Sequence, residues 1–262
     1  VATPVAAAKP VPLLEVERVV KDFGGVRALD GVSLAIDPGQ VMGLIGPNGA
    51  GKTTLFNVIS AIFPPTAGRV RFRGEDLAGL RPDQVCRRGI ARTFQIVQPF
   101  ARMTVAENVA IAHLFGRRAG PRGVSRRAAV ARAVDFLAYG KLGDVASRPA
   151  GSLTLSQRKR LEMVRALAAE PDLLLLDEVL AGLNPQETDE LSAIILEVRR
   201  QFGPAILVIE HNLRAVMALS ETMVVLHYGT IIARGTPDAI AADEAVIRAY
   251  LGESRRRGQA HA

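Results

Sequence analysis

Two stretches of the chain are apolar at every position: Leu173-Leu174-Leu175-Leu176 and Ala205-Ile206-Leu207-Val208-Ile209. A strand covered by helices on both faces shows no alternation, so both read as central strands of a parallel sheet. Val41-Met42-Gly43-Leu44-Ile45 and Met223 to Leu226 read as two more. Leu161, Val164, Leu167 and Ala168 repeat at helical spacing until Glu170-Pro171-Asp172 stops them, and Glu187 to Gln201 is a second amphipathic helix. Near the start, Leu13 to Val20 and the positions Leu29, Val32, Leu34 and Ile36 predict strands. Lys21-Asp22-Phe23-Gly24-Gly25 and Asp37-Pro38-Gly39 predict turns. Val70, Phe72 and Glu75-Asp76 predict antiparallel strands beside the main sheet. Arg81 to Arg88 is helical and Ile90 to Gln95 a short strand. From about Met103 to Gly151 the chain is mostly helical, with Val105 to Leu114 and Arg126 to Tyr139 separated by a basic loop, Gly116 to Gly123. Gly229 to Arg234 predicts an edge strand, followed by short helices around Ala239 and over Ala245 to Leu251. The class is therefore α/β: one core with an antiparallel β subdomain and an inserted helical subdomain.

The chemistry concentrates where these elements meet. After the strand ending at Ile45 comes Gly46-Pro47-Asn48-Gly49-Ala50-Gly51-Lys52-Thr53-Thr54, then an apolar-faced helix over Leu55 to Ile62. This fits the phosphate-loop pattern G-x-x-x-x-G-K-S/T in its strand–loop–helix context. Glycines let successive backbone N–H groups curl around a phosphate, and the helix N-terminus adds unpaired donors and partial positive charge. Lys52 brings a full charge to the β- and γ-phosphates, Thr53 a hydroxyl for Mg²⁺, and Thr54 reaches the α-phosphate. The loop thus predicts nucleotide binding on a P-loop NTPase core.

The run at Leu176 ends in Asp177-Glu178, and the run at Ile209 ends in Glu210-His211. Both sit at the carboxyl edge, where open α/β sheets bind ligands. Asp177 suits the Mg²⁺ shell, Glu178 the polarisation of an attacking water, and His211 a γ-phosphate. Gln95 could serve a metal or water site, or be a plain loop glutamine. Phe23, taken by itself, reads as an ordinary core phenylalanine.

Composition narrows the classes. Hydrophobic residues are 48% of the 262, enough for an aliphatic core and against global disorder. Cys86 is alone, so no internal disulfide forms, and His113, His211, His227 and His261 make no metal-ligand cluster. No apolar run is long enough to span a bilayer. Val1 to Pro12 reads as a loose arm without the apolar stretch of a secretory signal. The net charge of +7 permits nucleic acid or an anionic membrane surface, but no aromatic interleaving accompanies the arginine clusters. A solvated basic surface is the default reading, and no nucleic-acid partner is expected.

Along nearly its whole length the chain resembles the ATP-binding subunits of ABC transporters, and within them those of branched-chain amino-acid importers. Gly46 to Thr54 matches the Walker A segment, and Leu173 to Asp177 with Glu178 matches Walker B and the catalytic glutamate. Arg92-Thr93-Phe94-Gln95 matches the Q-loop, Ile209-Glu210-His211 the switch histidine, and Ala181-Gly182-Leu183-Asn184-Pro185 the D-loop. The resemblance implies one domain over 13–252: a core from 13–100 and 160–252, a helical subdomain from 101–159, and flexible termini at 1–12 and 253–262. It implies a catalytic set of Glu178, His211, Gln95 and Lys52, and a Mg²⁺ set of Thr53, Gln95 and Asp177. It places ATP on Gly46 to Thr54, with Phe23 stacked on adenine, which reverses the reading of that residue. Two such subunits sandwich two ATP molecules, each held by one subunit's phosphate loop and the other's signature segment. The implied partners are two permease subunits, a second ATPase subunit and, indirectly, a periplasmic binding protein, at the cytoplasmic face of the bacterial inner membrane.

One motif departs from the pattern. The common signature is Leu-Ser-Gly-Gly-Gln, whereas Leu153-Thr154-Leu155-Ser156-Gln157 stands here. Thr154, Ser156 and Gln157 are the expected contacts to the partner's ATP, with Ser156 as helix cap. Both glycines are gone, and Val179 replaces a proline common in the subfamily. Intact motifs beside an altered signature predict an asymmetric heterodimer, with a homodimer as alternative. Competing functions are a soluble ATPase of the same superfamily in DNA repair or translation, and a poorly hydrolysing structural partner.

Overall fold

The computed structural model describes residues 11–94, 98–117 and 125–250. The expectations for the N-terminal arm, Gln95, most of the basic loop and the tail from 253 lie outside these residues.

The chain opens with β1 (Leu14–Phe23) and β2 (Val26–Ile36), then β3 (Val41–Ile45), α1 (Lys52–Ile59), β4 (Ala67–Phe72) and β5 (Glu75–Asp76). There follow α2 (Pro82–Arg88), β6 (Ile90–Arg92), α3 (Val105–Phe115), α4 (Arg126–Tyr139) and α5 (Leu155–Ala168). The remainder is β7 (Leu173–Asp177), α6 (Pro185–Phe202), β8 (Ala205–Ile209), α7 (Leu213–Leu219), β9 (Thr222–His227), β10 (Thr230–Gly235) and α8 (Pro237–Ala242).

Two sheets form. One is antiparallel, in the order β2-β1-β4-β5; the other runs β10-β9-β3-β8-β7-β6, parallel except for β10, which pairs antiparallel at the edge. The unbroken apolar runs are explained by their two faces. Leu173 and Leu175 of β7 enter the core shared with α1 and the antiparallel sheet, whereas Leu174 and Leu176 enter the core under α3 to α6. The same alternation divides Leu207 and Ile209 from Ile206 and Val208. Polar side chains on either face would be buried without partners.

Two expectations are corrected and one element is added. Lys21 to Phe23 is strand, not turn: Lys21 pairs with Leu29, Asp22 with Arg27 and Phe23 with Val26. The Arg27 Nε to Asp22 Oδ1 contact of 2.9 Å ties that pairing. The turn shrinks to Gly24-Gly25, both at positive φ (48° and 94°), as a tight two-residue hairpin demands. The helix after the phosphate loop begins at Lys52 and ends at Ile59 rather than spanning Leu55 to Ile62. Finally, α7 was not foreseen; its seven residues are capped by Asn212, whose side chain accepts from Ala215 N–H. Among the described residues no helix is long and apolar enough to cross a membrane.

Candidate functional site

The phosphate loop is closed by packing that leaves no room for a side chain at Gly46 or Gly51. A Cβ on Gly46 would lie 2.0 Å from the Leu226 carbonyl oxygen, and one on Gly51 would lie 2.5 Å from that of Ala28. Both residues also have positive φ, 149° and 104°. β9 and β2 therefore grip the loop from behind, and only glycine fits. Gly51 is the N-cap of α1 and offers no side-chain cap, so the first amides of that helix keep their donor capacity. Lys52 is buried, and its Nζ donates to the carbonyls of Gly46 at 2.7 Å and Pro47 at 2.8 Å. The ammonium is thus fixed inside the loop while Asn48, Gly49 and Thr53 stay exposed.

Asp177 at the end of β7 faces the same region. It is 1% exposed, and its Oδ2 accepts from Arg92 Nη2 at 2.6 Å. Its Oδ1 is buried with no hydrogen-bond partner among the described residues. Burial pushes the Asp177 carboxyl up from its ordinary range, and Arg92 opposes that shift. Thr53 and Asp177 both line a cavity of about 530 Å³ together with Arg92, Phe94, Gln98, Glu162 and Arg165. A lone carboxylate oxygen and a hydroxyl are hard oxygen donors, the set by which Mg²⁺ is held beside substrate phosphates. Among the described residues no cluster of three His, Cys, Asp or Glu competes with it. The residues present fit Mg²⁺.

Glu178 follows immediately, in the left-handed backbone region at φ 51°. Its Oε1 meets His211 Nε2 at 2.6 Å. An ionised Glu178 accepts there, so Nε2 carries the proton in that arrangement. The sheet brings these groups together because β7 and β8 are neighbours in register, Asp177 opposite Ile209.

Phe23 ends β1 and is half exposed, its ring edge-on to Phe63 with centroids 5.3 Å apart. Lys21 Nζ lies 4.9 Å from the Phe23 centroid and donates to Pro64 O. The ring is thus held at the surface rather than in the core, and can stack on a flat ligand.

The signature segment differs from expectation in one respect. Thr154, not Ser156, is the cap of α5: its Oγ1 accepts from Gln157 N–H, and Gln157 Oε1 accepts from Thr154 N–H. Ser156 lies inside the first turn and is buried, because the helical register turns that position toward the core. Leu155 is half exposed and reaches over Gly182 of the following loop.

Three groups in the site were not singled out from sequence. Arg92 binds Asp177, Asn57 Oδ1 at 2.6 Å and Ser60 Oγ at 3.3 Å. Glu210 is buried, accepts from Leu180 N–H at 2.7 Å, and has its carboxyl pushed up to about 7 by desolvation. Lys159 is buried and donates to the Glu178 carbonyl. The available signal was a charged residue on an otherwise apolar strand or helix face.

The loop, the paired acids and the histidine share one edge of a parallel sheet, and that shared edge makes the domain a phosphate-loop nucleotide hydrolase. Residues 29–181 match the family described as ABC transporter, and 230–255 match that described as branched-chain amino acid ATP-binding cassette transporter. The chain is 41% identical over 254 residues to the high-affinity branched-chain amino acid transport ATP-binding protein BraF of Pseudomonas aeruginosa, covering 93% of this chain and 99% of that one. It is 41% identical over 258 residues, with the same coverage, to the corresponding protein LivG of Escherichia coli K12. An ATP-binding cassette of an ABC transporter, solved in its ADP conformation, superposes with TM-score 0.82 at 34% identity, covering 93% of this chain and 100% of that one. The chain belongs to the ABC transporter family, as one of its ATP-hydrolysing subunits. These matches favour transport over a DNA-repair, translation or merely structural role.

Proposed function

We propose that this subunit powers import of branched-chain or related amino acids through a membrane permease, from the cytoplasmic face of a bacterial inner membrane. The observation that carries the chemistry is the Glu178–His211 contact of 2.6 Å, beside Asp177 and at the sheet edge of the phosphate loop. Lys52 and the amides of the Gly46–Thr54 loop bind and neutralise the ATP phosphates. Thr53 and Asp177 would hold Mg²⁺, with Gln95 as a further ligand, and the ion would supply positive charge against the phosphates. Glu178 takes the proton of the attacking water, and His211 orients Glu178. Phe23 stacks on adenine.

The partners are two permease subunits, a second ATPase subunit and, through the permeases, a periplasmic binding protein. What supports the heterodimer is Leu155, whose half-exposed side chain stands where a glycine would let backbone approach the partner's nucleotide, whereas Ser156 faces the core. The test is the ATPase rate of the purified chain, alone and mixed with the ATPase subunit encoded beside it. A low rate alone that rises steeply on mixing supports an asymmetric pair; equal rates overturn the asymmetry. Leucine uptake by vesicles carrying the assembled transporter tests the substrate class.

A further inference from the structure

Glu178 has to be held in a backbone conformation that non-glycine residues rarely adopt, φ 51°. Three tethers do this. Glu178 N–H donates to Ile209 O at 2.9 Å. Two residues on, Leu180 N–H donates to the buried Glu210 carboxylate. The third tether comes from another element: Lys159 Nζ donates to the Glu178 carbonyl at 2.9 Å. Lys159 is 5% exposed and lies one turn inside α5, the helix whose first residues form the signature segment. A buried ammonium is costly unless charges and acceptors surround it. Here Glu210, Glu178, Glu162 and Asp177 supply the compensating charge.

We infer that Lys159 is a positioning residue for hydrolysis, which fixes the left-handed turn that aims the Glu178 carboxylate and so ties the signature helix to this subunit's own catalytic glutamate. The arrangement couples the two composite sites within one chain. The signature end of α5 serves the partner's nucleotide, while Lys159 on the same helix grips the residue that acts on the nucleotide held by this chain. A shift of α5 along its axis moves the Lys159 ammonium and, with it, the Glu178 carbonyl. The inference rests on the role of Glu178 proposed above.

The experiment measures kcat and KM for ATP on the full-length chain with its partner subunit, for Lys159→Met, Lys159→Arg, Glu178→Gln and the double variant Lys159→Met/Glu178→Gln. Displacement of a catalytic group by about 1 Å costs on the order of 10²-fold. Lys159→Met is therefore expected to lower kcat about 10- to 100-fold with KM within twofold. Lys159→Arg, which keeps a charged donor, restores most of the rate. In the Glu178→Gln background Lys159→Met costs nothing further, because it acts through that carboxylate. If Glu178→Gln abolishes turnover while Lys159→Met leaves kcat unchanged, the inference falls and the proposed function stands. If Glu178→Gln leaves turnover intact, the function assigned to Glu178 falls and takes the inference with it. Should Lys159→Met fail to bind nucleotide or to fold, Lys159→Gln reads the same contact: a kcat loss at unchanged KM supports the inference, and wild-type kcat overturns it.

Discussion

Two helix N-termini in this protein are proposed to meet nucleotide phosphates, and they are built in opposite ways. α1 begins at a glycine with no side-chain cap, with no acidic residue in its first turn and a buried lysine at its first position. No side chain caps its first amides. α5 begins at Thr154, whose reciprocal bonds with Gln157 satisfy two donors internally, and Leu155 covers the adjoining loop glycine. The first terminus has no side-chain cap, whereas the second caps two of its donors within the single chain. A site assembled from one terminus of each kind is expected to gain more binding energy from α1 than from α5.

The largest expected effect tests that claim at α1. Lys52→Ala removes a fixed, buried ammonium from the phosphate cradle. Charged hydrogen bonds are worth about 1.5–3 kcal/mol each. Affinity for ATP should fall by about 10²- to 10³-fold, read by equilibrium titration with a fluorescent ATP analogue. A loss under threefold would mean that the loop amides alone hold the phosphates.

Between the two helices lies the Glu178 turn, and Glu210 gives it a pH dependence. Its folded carboxyl titrates near 7, above the ordinary value of 4.5, chiefly because it is buried. A raised folded pKa means that the folded state binds the proton more tightly. The stabilisation from Glu210 is fully present below about pH 4.5 and is lost as pH rises to about 7. Ionising it in place costs up to about 3 kcal/mol. Glu210→Gln keeps the acceptor for Leu180 N–H and removes the titration. The difference in unfolding free energy between variant and wild type should grow in the variant's favour from pH 4.5 to 7 and then level off. Chemical denaturation at several pH values measures it; a pH-independent difference would refute the assignment.

Much of this could be read along the chain. The β7 and β8 runs, the glycine loop and the acids at the strand ends are local patterns, each contained in a few consecutive residues. What escaped depends on segments far apart in sequence. Arg92 meets Asp177 across 85 positions and Leu180 meets Glu210 across 30, so no local spacing announces either. The strand through Lys21 to Phe23 was hidden because three bulge-like shifts in the pairing with β2 break its alternation. α7 is too short to show a helical period. Ser156 was misread because hydroxyls are good caps in general; which of Thr154 and Ser156 caps is decided by helical phase, set by burial of Leu161, Met163 and Val164 further along α5.

The comparison sharpens if glycine is returned to α5. Leu155→Gly with Ser156→Gly lets the backbone approach an external phosphate as α1 does. In the assembled pair, turnover at the site completed by this signature should rise about tenfold, or about 1.4 kcal/mol in the barrier. It is measured by single-turnover hydrolysis with the other site disabled. Two new glycines in the first turn also cost helix stability, about 1 kcal/mol each. A rise in turnover with a fall in melting temperature would separate the two effects. No rise with the native partner would mean that Leu155 and Ser156 do not limit that site.

The smallest effect isolates the cap itself. Thr154→Ala removes the Oγ1 that accepts from Gln157 N–H and leaves the rest of α5 unchanged. Loss of such a cap costs about 1 kcal/mol, which lowers the melting temperature of a domain this size by about 2–4 °C. Thr154→Ser retains the acceptor and should melt close to wild type. Neither change should alter ATP affinity at the chain's own phosphate loop in the isolated subunit, since that loop leads into α1 and Thr154 caps α5. An unchanged melting temperature for Thr154→Ala would mean that water satisfies the α5 amides as well as the side chain does. α5 would then be as open to an external phosphate as α1, and the contrast between the two termini would disappear.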